Sequence, residues 1–174
     1  MSSGLICRLN LCYTLQHIRR EKHQKIKQDA MIPPFDSDGH LPPGLHLSDW
    51  IEFHERFCIF THSDCRLQLC HQIERMIEEA RASNIVERLI FGGSFVTSKS
   101  EPNDFDCVIV LSPGIDYERL QPFQRWVADT REASRRYRGD VFVARANQET
   151  LSIYLDFFAR NRDGKQVGLI EVTI

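Results

Sequence analysis

The chain has 174 residues, 42% of them hydrophobic and 26% charged, which suits one domain with its own core and excludes a collagen, a coiled coil or a wholly unstructured chain. Against 24 Asp and Glu stand 22 Lys and Arg, a formal net charge of −2, so no global positive field draws nucleic acid and any phosphate binding must be local. No window reaches the roughly 18 consecutive apolar residues of a membrane span, and the basic run Arg19 to Lys27 follows the apolar start at Met1 to Leu15, the reverse of a secretory leader. Six cysteines (Cys7, Cys12, Cys58, Cys65, Cys70, Cys107) show no paired-cysteine spacing. The expectation is a cytoplasmic protein with reduced thiols and no membrane partner.

Residues 1–30 differ in texture from the rest, and the Pro- and Gly-rich segment from Met31 to Gly44 reads as a beginning. Met31 is therefore expected to be the natural start, with 1–30 an upstream extension not native to the domain over 31–174. Ser48 is expected to cap a short helix carrying Trp50, Phe53, Phe57 and Phe60 at helical spacing. Ser63 or Asp64 caps a second helix to about Ala82, whose stripe is Leu67, Leu69, Cys70, Ile73, Met76, Ile77 and Ala80. Strands follow over Ile85–Phe91 and Phe105–Leu111, the latter an apolar, β-branched run of the kind buried on both faces of a sheet. The remaining expected elements are a helix from Tyr117 to about Arg136, a strand Val141–Ala144, a helix Gln148–Phe158 and a strand Val167–Ile174. The fold class is α+β: a small mixed β-sheet with helices packed on one face.

The chemistry concentrates between Leu89 and Leu111. Asp104 and Asp106 lie two apart, so on a strand they project to the same face while Phe105 and Cys107 turn away. Two carboxylates so close repel, an arrangement suited to a hard divalent cation that also holds substrate phosphates. Gly92 and Gly93 lack the Cβ that would keep backbone N–H groups from a phosphate, and Ser94 adds a hydroxyl at the same turn.

Phe91-Gly92-Gly93-Ser94 followed by Asp104-Phe105-Asp106-Cys107 resembles the signature of the DNA polymerase β type of nucleotidyltransferase fold. Within that superfamily, Met31 to His46 together with Gly92 to Val110 look like a small group of single-domain bacterial and phage proteins of uncharacterised function. The resemblance covers Met31 to the C-terminus. It implies that Asp104 and Asp106 bind two Mg²⁺ ions, replaceable by Mn²⁺, which hold the triphosphate of an NTP. It further implies that Gly92, Gly93 and Ser94 cradle the phosphates and that a third acid on a later strand joins the metal site and helps activate the attacking hydroxyl. Asp140 is the best match for that acid, although Gly139 stands before it where an apolar side chain is usual. Lys99 is the expected partner for phosphate charge. The implied reaction moves NMP from an NTP to an acceptor hydroxyl on a protein, RNA or small molecule, releasing pyrophosphate, and a chain this short points to a partner protein for acceptor recognition.

The alternative class is an inactive binding or regulatory module of the same fold, such as half of a toxin–antitoxin or phage-defence pair. Zinc at His54, Cys58, His62, Cys65, Cys70 and His71 is the weaker reading against core thiols and surface histidines, because the residues spread over two helices. Arg131, Arg135, Arg136 and Arg138 read as a solvated helix face, and the Trp50 to Phe60 series as packing.

Overall fold

The computed structural model describes residues 32–59 and 63–174; the expected extension over 1–30, Met31, Cys7, Cys12, Phe60 and His62 lie outside the described residues. The elements are β1 (Gly44–Ser48), α1 (Trp50–Phe57), α2 (Asp64–Ser83), β2 (Val86–Gly92), β3 (Asp106–Leu111), α3 (Arg125–Ala128), α4 (Thr130–Tyr137), β4 (Asp140–Arg145), α5 (Glu149–Phe158) and β5 (Gly168–Thr173). Tight 3₁₀ turns occupy Gly93–Val96 and Tyr117–Arg119. The strands form one mixed sheet in the order β1-β5-β2-β3-β4, so the architecture is α+β as expected. β1 pairs with β5 and β3 with β4 in parallel, while β2 is antiparallel to both its neighbours. Hence β2 alone runs against the other four, and its C-terminal end meets their N-terminal ends.

Alternation along the strands separates two cores. Leu89, Phe91, Cys107, Ile109, Leu111, Val141, Ile170 and Val172 pack with buried side chains of α1, α2, α3 and α4. Ile90, Val108, Val110, Ala144 and Leu169 turn the other way, against Leu151 and Phe158 of α5. The continuous apolar run of β3 is thus buried on both faces. Four helices share one face, as the one-sided expectation had it; α5 covers the opposite face because Leu151, Tyr154, Leu155 and Phe158 give it an apolar side. Thr130 and Ser134 of α4 protect the free border of β4: Thr130 Oγ1 accepts from the Val143 N–H at 3.1 Å, while Ser134 Oγ donates to the Val141 carbonyl at 2.9 Å and lies 3.2 Å from the Val141 N–H.

Several local expectations change. Asp49, not Ser48, caps α1, accepting from the Glu52 N–H at 2.8 Å. Ser63 caps α2, but its stripe starts at the fully buried Arg66 and leaves Leu67 half exposed. The expected helix from Tyr117 to Arg136 is broken because Pro122 disfavours helical backbone before it and Asp129, extended at φ −121° and ψ 122°, caps α4 afresh. Among the described residues no helix is long and apolar enough to cross a membrane. The reduced-thiol expectation fails for one pair: the Cys58 cap of α1 and Cys70 of α2, with Cα atoms 5.7 Å apart, are joined by a disulfide. Cys65 and Cys107 are unpaired, and Cys107 is fully buried.

Candidate functional site

The site forms at the end of the sheet where β2 finishes and the other strands start. Gly92 of β2 stands opposite Asp106 of β3, and Asp106 stands in register with Asp140 of β4. Side chains in register on neighbouring strands share a face, so Asp106 and Asp140 both project on the face that carries α5. Asp104 precedes β3 and is not a strand residue, yet its charge acts on Asp106 along with that of Asp140. Strand pairing thus sets Asp140 beside Asp106, and the approach to β3 leaves Asp104 close enough for its charge to act there.

The Asp106 carboxyl is pushed up to about 6 by burial and, after that, by Asp104 and Asp140; Arg162 opposes the shift. Among the described residues none of the three carboxylates accepts a hydrogen bond or forms an ion pair. Among those residues there is also no group of three or more His, Cys, Asp or Glu arranged to hold a metal ion, Asp104, Asp106 and Asp140 included. Lys99, expected at the phosphates, is exposed and is not among the charges acting on Asp106.

The glycines serve close packing. A Cβ at Gly92 would lie 3.0 Å from Leu169 Cδ2 and 3.1 Å from Phe158 Cβ. Gly93 has φ +64°, and a Cβ there would lie 1.7 Å from Asp106 Oδ2, so glycine lets this carboxylate sit directly on the turn. Ser94 is half-buried on the 3₁₀ turn, and its hydroxyl has no hydrogen-bond partner among the described residues. Gly139, the departure from the motif, has a physical reason: the fully buried Phe105 ring comes within 2.6 Å of where its Cβ would be. The Phe105 carbonyl also accepts from the Asp140 N–H at 2.9 Å.

One residue that sequence reasoning missed organises the loop between turn and acids. The Arg66 guanidinium donates to the carbonyls of Phe57 at 2.8 Å, Phe95 at 3.0 Å, Thr97 at 2.9 Å and Lys99 at 3.0 Å. Burial lowers it only to about 10, so it stays charged at neutral pH. Ser63 Oγ donates to the Ser100 carbonyl at 2.8 Å and Cys65 Sγ to that of Pro102 at 2.7 Å, extending the grip almost to Asp104. The signal was spacing: the stripe 69, 70, 73, 76, 77, 80 extends back to 66, not 67. A separate groove along the β4 border, lined by Tyr117, Arg125, Trp126, Asp129, Arg131 and Glu132 among others, contains none of the three acids.

A family model described as "Family of unknown function (DUF6932)" matches residues 33–173, so the chain belongs to that family. No curated protein and no solved structure matches the chain.

Proposed function

We propose that this member of the DUF6932 family is a nucleotidyltransferase, moving NMP from an NTP to an acceptor hydroxyl on a protein, RNA or small molecule. The observation that supports the reading is the placement of Asp104, Asp106 and Asp140 at one end of the sheet with no hydrogen bond or ion pair among the described residues, beside a turn that carries an unengaged Ser94 hydroxyl. A carboxyl raised by burial and then by two neighbouring acids, as Asp106 is, suits a nearby cation more than it suits a folded protein alone. Asp104, Asp106 and Asp140 offer the oxygen donors that Mg²⁺, or Mn²⁺ in its place, takes, and because no three such side chains among the described residues converge on a metal position, water and substrate phosphate would have to supply most of its shell. When bound it supplies positive charge for the phosphate oxygens.

The chain's own groups account for the rest. Asp140, exposed at the head of an edge strand, is reachable by an incoming hydroxyl and accepts its proton. The acceptor oxygen bonds to the α-phosphorus as the bond from that phosphorus to the α–β bridging oxygen breaks, and pyrophosphate departs with that oxygen. Ser94 donates to a phosphate oxygen, on a loop held in place by Arg66.

The test incubates the protein with each labelled NTP, Mg²⁺ or Mn²⁺ and host lysate, beside Asp104→Ala/Asp106→Ala. Label transfer by the parent alone is the expected result, and equal label with both proteins refutes the reading. A second reading, a binding module without turnover, is favoured by one observation: the space at Gly92 and Gly93 is filled by Phe158, Leu169 and Asp106. Thermal stabilisation by an NTP with no label transferred supports that module instead.

A further inference from the structure

The hairpin between α5 and β5 brings basic side chains to the same end of the sheet. Phe158, at the end of α5, packs against Gly92, and Gly168 opens β5, so both ends of the hairpin lie at the end of the sheet where Asp106 and Asp140 stand. Its backbone is tightly specified. Val167 N–H donates to the Ala159 carbonyl at 2.9 Å, Arg160 bridges Gln166, and Asn161 Oδ1 accepts from the Asp163 and Lys165 N–H groups at 3.0 and 2.9 Å. Lys165 Nζ then reaches Asp36 Oδ2 at 3.0 Å and Asp38 Oδ2 at 2.5 Å. The turn that carries those acids is fastened in its own right, since the Gly39 carbonyl accepts from the Ser98 N–H at 2.9 Å, within the loop between the glycine turn and Asp104. Hairpin, Asp36–His40 turn and Ser98 loop therefore form a linked rim beside the acids.

On that rim the side chains of Arg160 and Arg162 are exposed and make no hydrogen bond or ion pair among the described residues. Of the two, Arg162 is the one whose charge reaches Asp106. A guanidinium on this rim, bonded to none of the three carboxylates, has its donors available for another anion, and its planar fork matches the oxygens of a phosphate.

We propose that Arg162, presented by the hairpin after α5, binds the phosphate chain of the nucleoside triphosphate, with the Lys165 clasp to Asp36 and Asp38 fixing its position. This rests on the nucleotidyl-transfer reading and adds to it a substrate-binding cation outside the motif, replacing Lys99 in that role.

The experiment measures equilibrium binding of ATP, GTP, CTP and UTP, each with Mg²⁺, and of the matching monophosphates to the full chain and to Arg162→Ala, Arg162→Lys and Arg160→Ala. Arg162 is exposed, so an unchanged thermal midpoint is expected to accompany each variant. For whichever triphosphate the parent binds, Arg162→Ala is expected to weaken binding about tenfold, with Arg162→Lys recovering part and the monophosphate losing less than the triphosphate. Arg160→Ala is expected to match the parent. Unchanged triphosphate affinity in Arg162→Ala overturns the assignment while leaving the transfer reading in place. An equal loss in Arg160→Ala also overturns it, by reducing the effect to a diffuse field. A parent that binds none of the four triphosphates overturns both.

Discussion

Asp106 holds its negative charge in a partly buried position between two other acids, and that charge opposes folding at neutral pH. Its folded pKa of about 6 lies above the ordinary 3.8, so between these values the folded chain binds more protons than the unfolded one. This group's contribution to stability therefore declines as pH rises from about 4 to about 6 and stays low above that. A shift of about two units, discounted for the partial exposure of the carboxyl, corresponds to on the order of 1–2 kcal/mol. In metal-free buffer at pH 7.5, Asp106→Asn is expected to raise the thermal midpoint by a few degrees and to flatten the pH dependence below 6. A midpoint at or below the parent's would refute this account, as would an unaltered pH profile. At this scale the sequence was informative: both Asp104 and Asp106, and the turn facing them, stood out by spacing. What spacing could not convey was that Gly93 makes room for the Asp106 carboxylate, since that close approach depends on the register of β2 against β3.

Elements were legible where one physical signal dominated them. The apolar run of β3 and the periodic face of α2 lie within a residue or two of expectation. β1 was missed: Gly44-Leu-His-Leu-Ser is short, follows two prolines, and places Leu45 and Leu47 at 43% and 52% exposure, so its alternation marks no core. Arg66 was missed because a charged residue in an apolar stripe reads as an interruption, whereas here it joins α2 to the loop beyond the glycine turn. Its loss should be felt at that junction. Lysine has three donors on one nitrogen and cannot reproduce a fork spread over the carbonyls of Phe57, Phe95, Thr97 and Lys99. Arg66→Lys is expected to lower stability by about 2–4 kcal/mol through carbonyls left without donors. Urea denaturation measures this, and a free energy of unfolding equal to the parent's would show the network to be dispensable.

For the molecule as a whole, the turn and two acids come from one contiguous stretch, which is why the candidate site was largely readable before the fold. Asp140 arrives through pairing of β3 with a strand some thirty residues later, a non-local event that a motif only suggests. The disulfide was also beyond reach, because helix packing and not cysteine spacing brings Cys58 to Cys70. With 12 residues of separation, that crosslink should contribute about 2–3 kcal/mol by restricting the unfolded chain. Cys58→Ser/Cys70→Ser is accordingly expected to unfold at a lower temperature than the oxidised parent and at the same temperature as the parent in reductant; coincidence of all three midpoints would count against the bond. Finally, the two hydroxyls on α4 engage the outward amide groups of Val141 and Val143. A strand from another molecule would find these hydrogen-bonding positions taken. Fibril-like growth is thereby blocked at the rim beside Asp140, and a macromolecular acceptor approaching from that side would have to dock through side chains and not by extending the sheet.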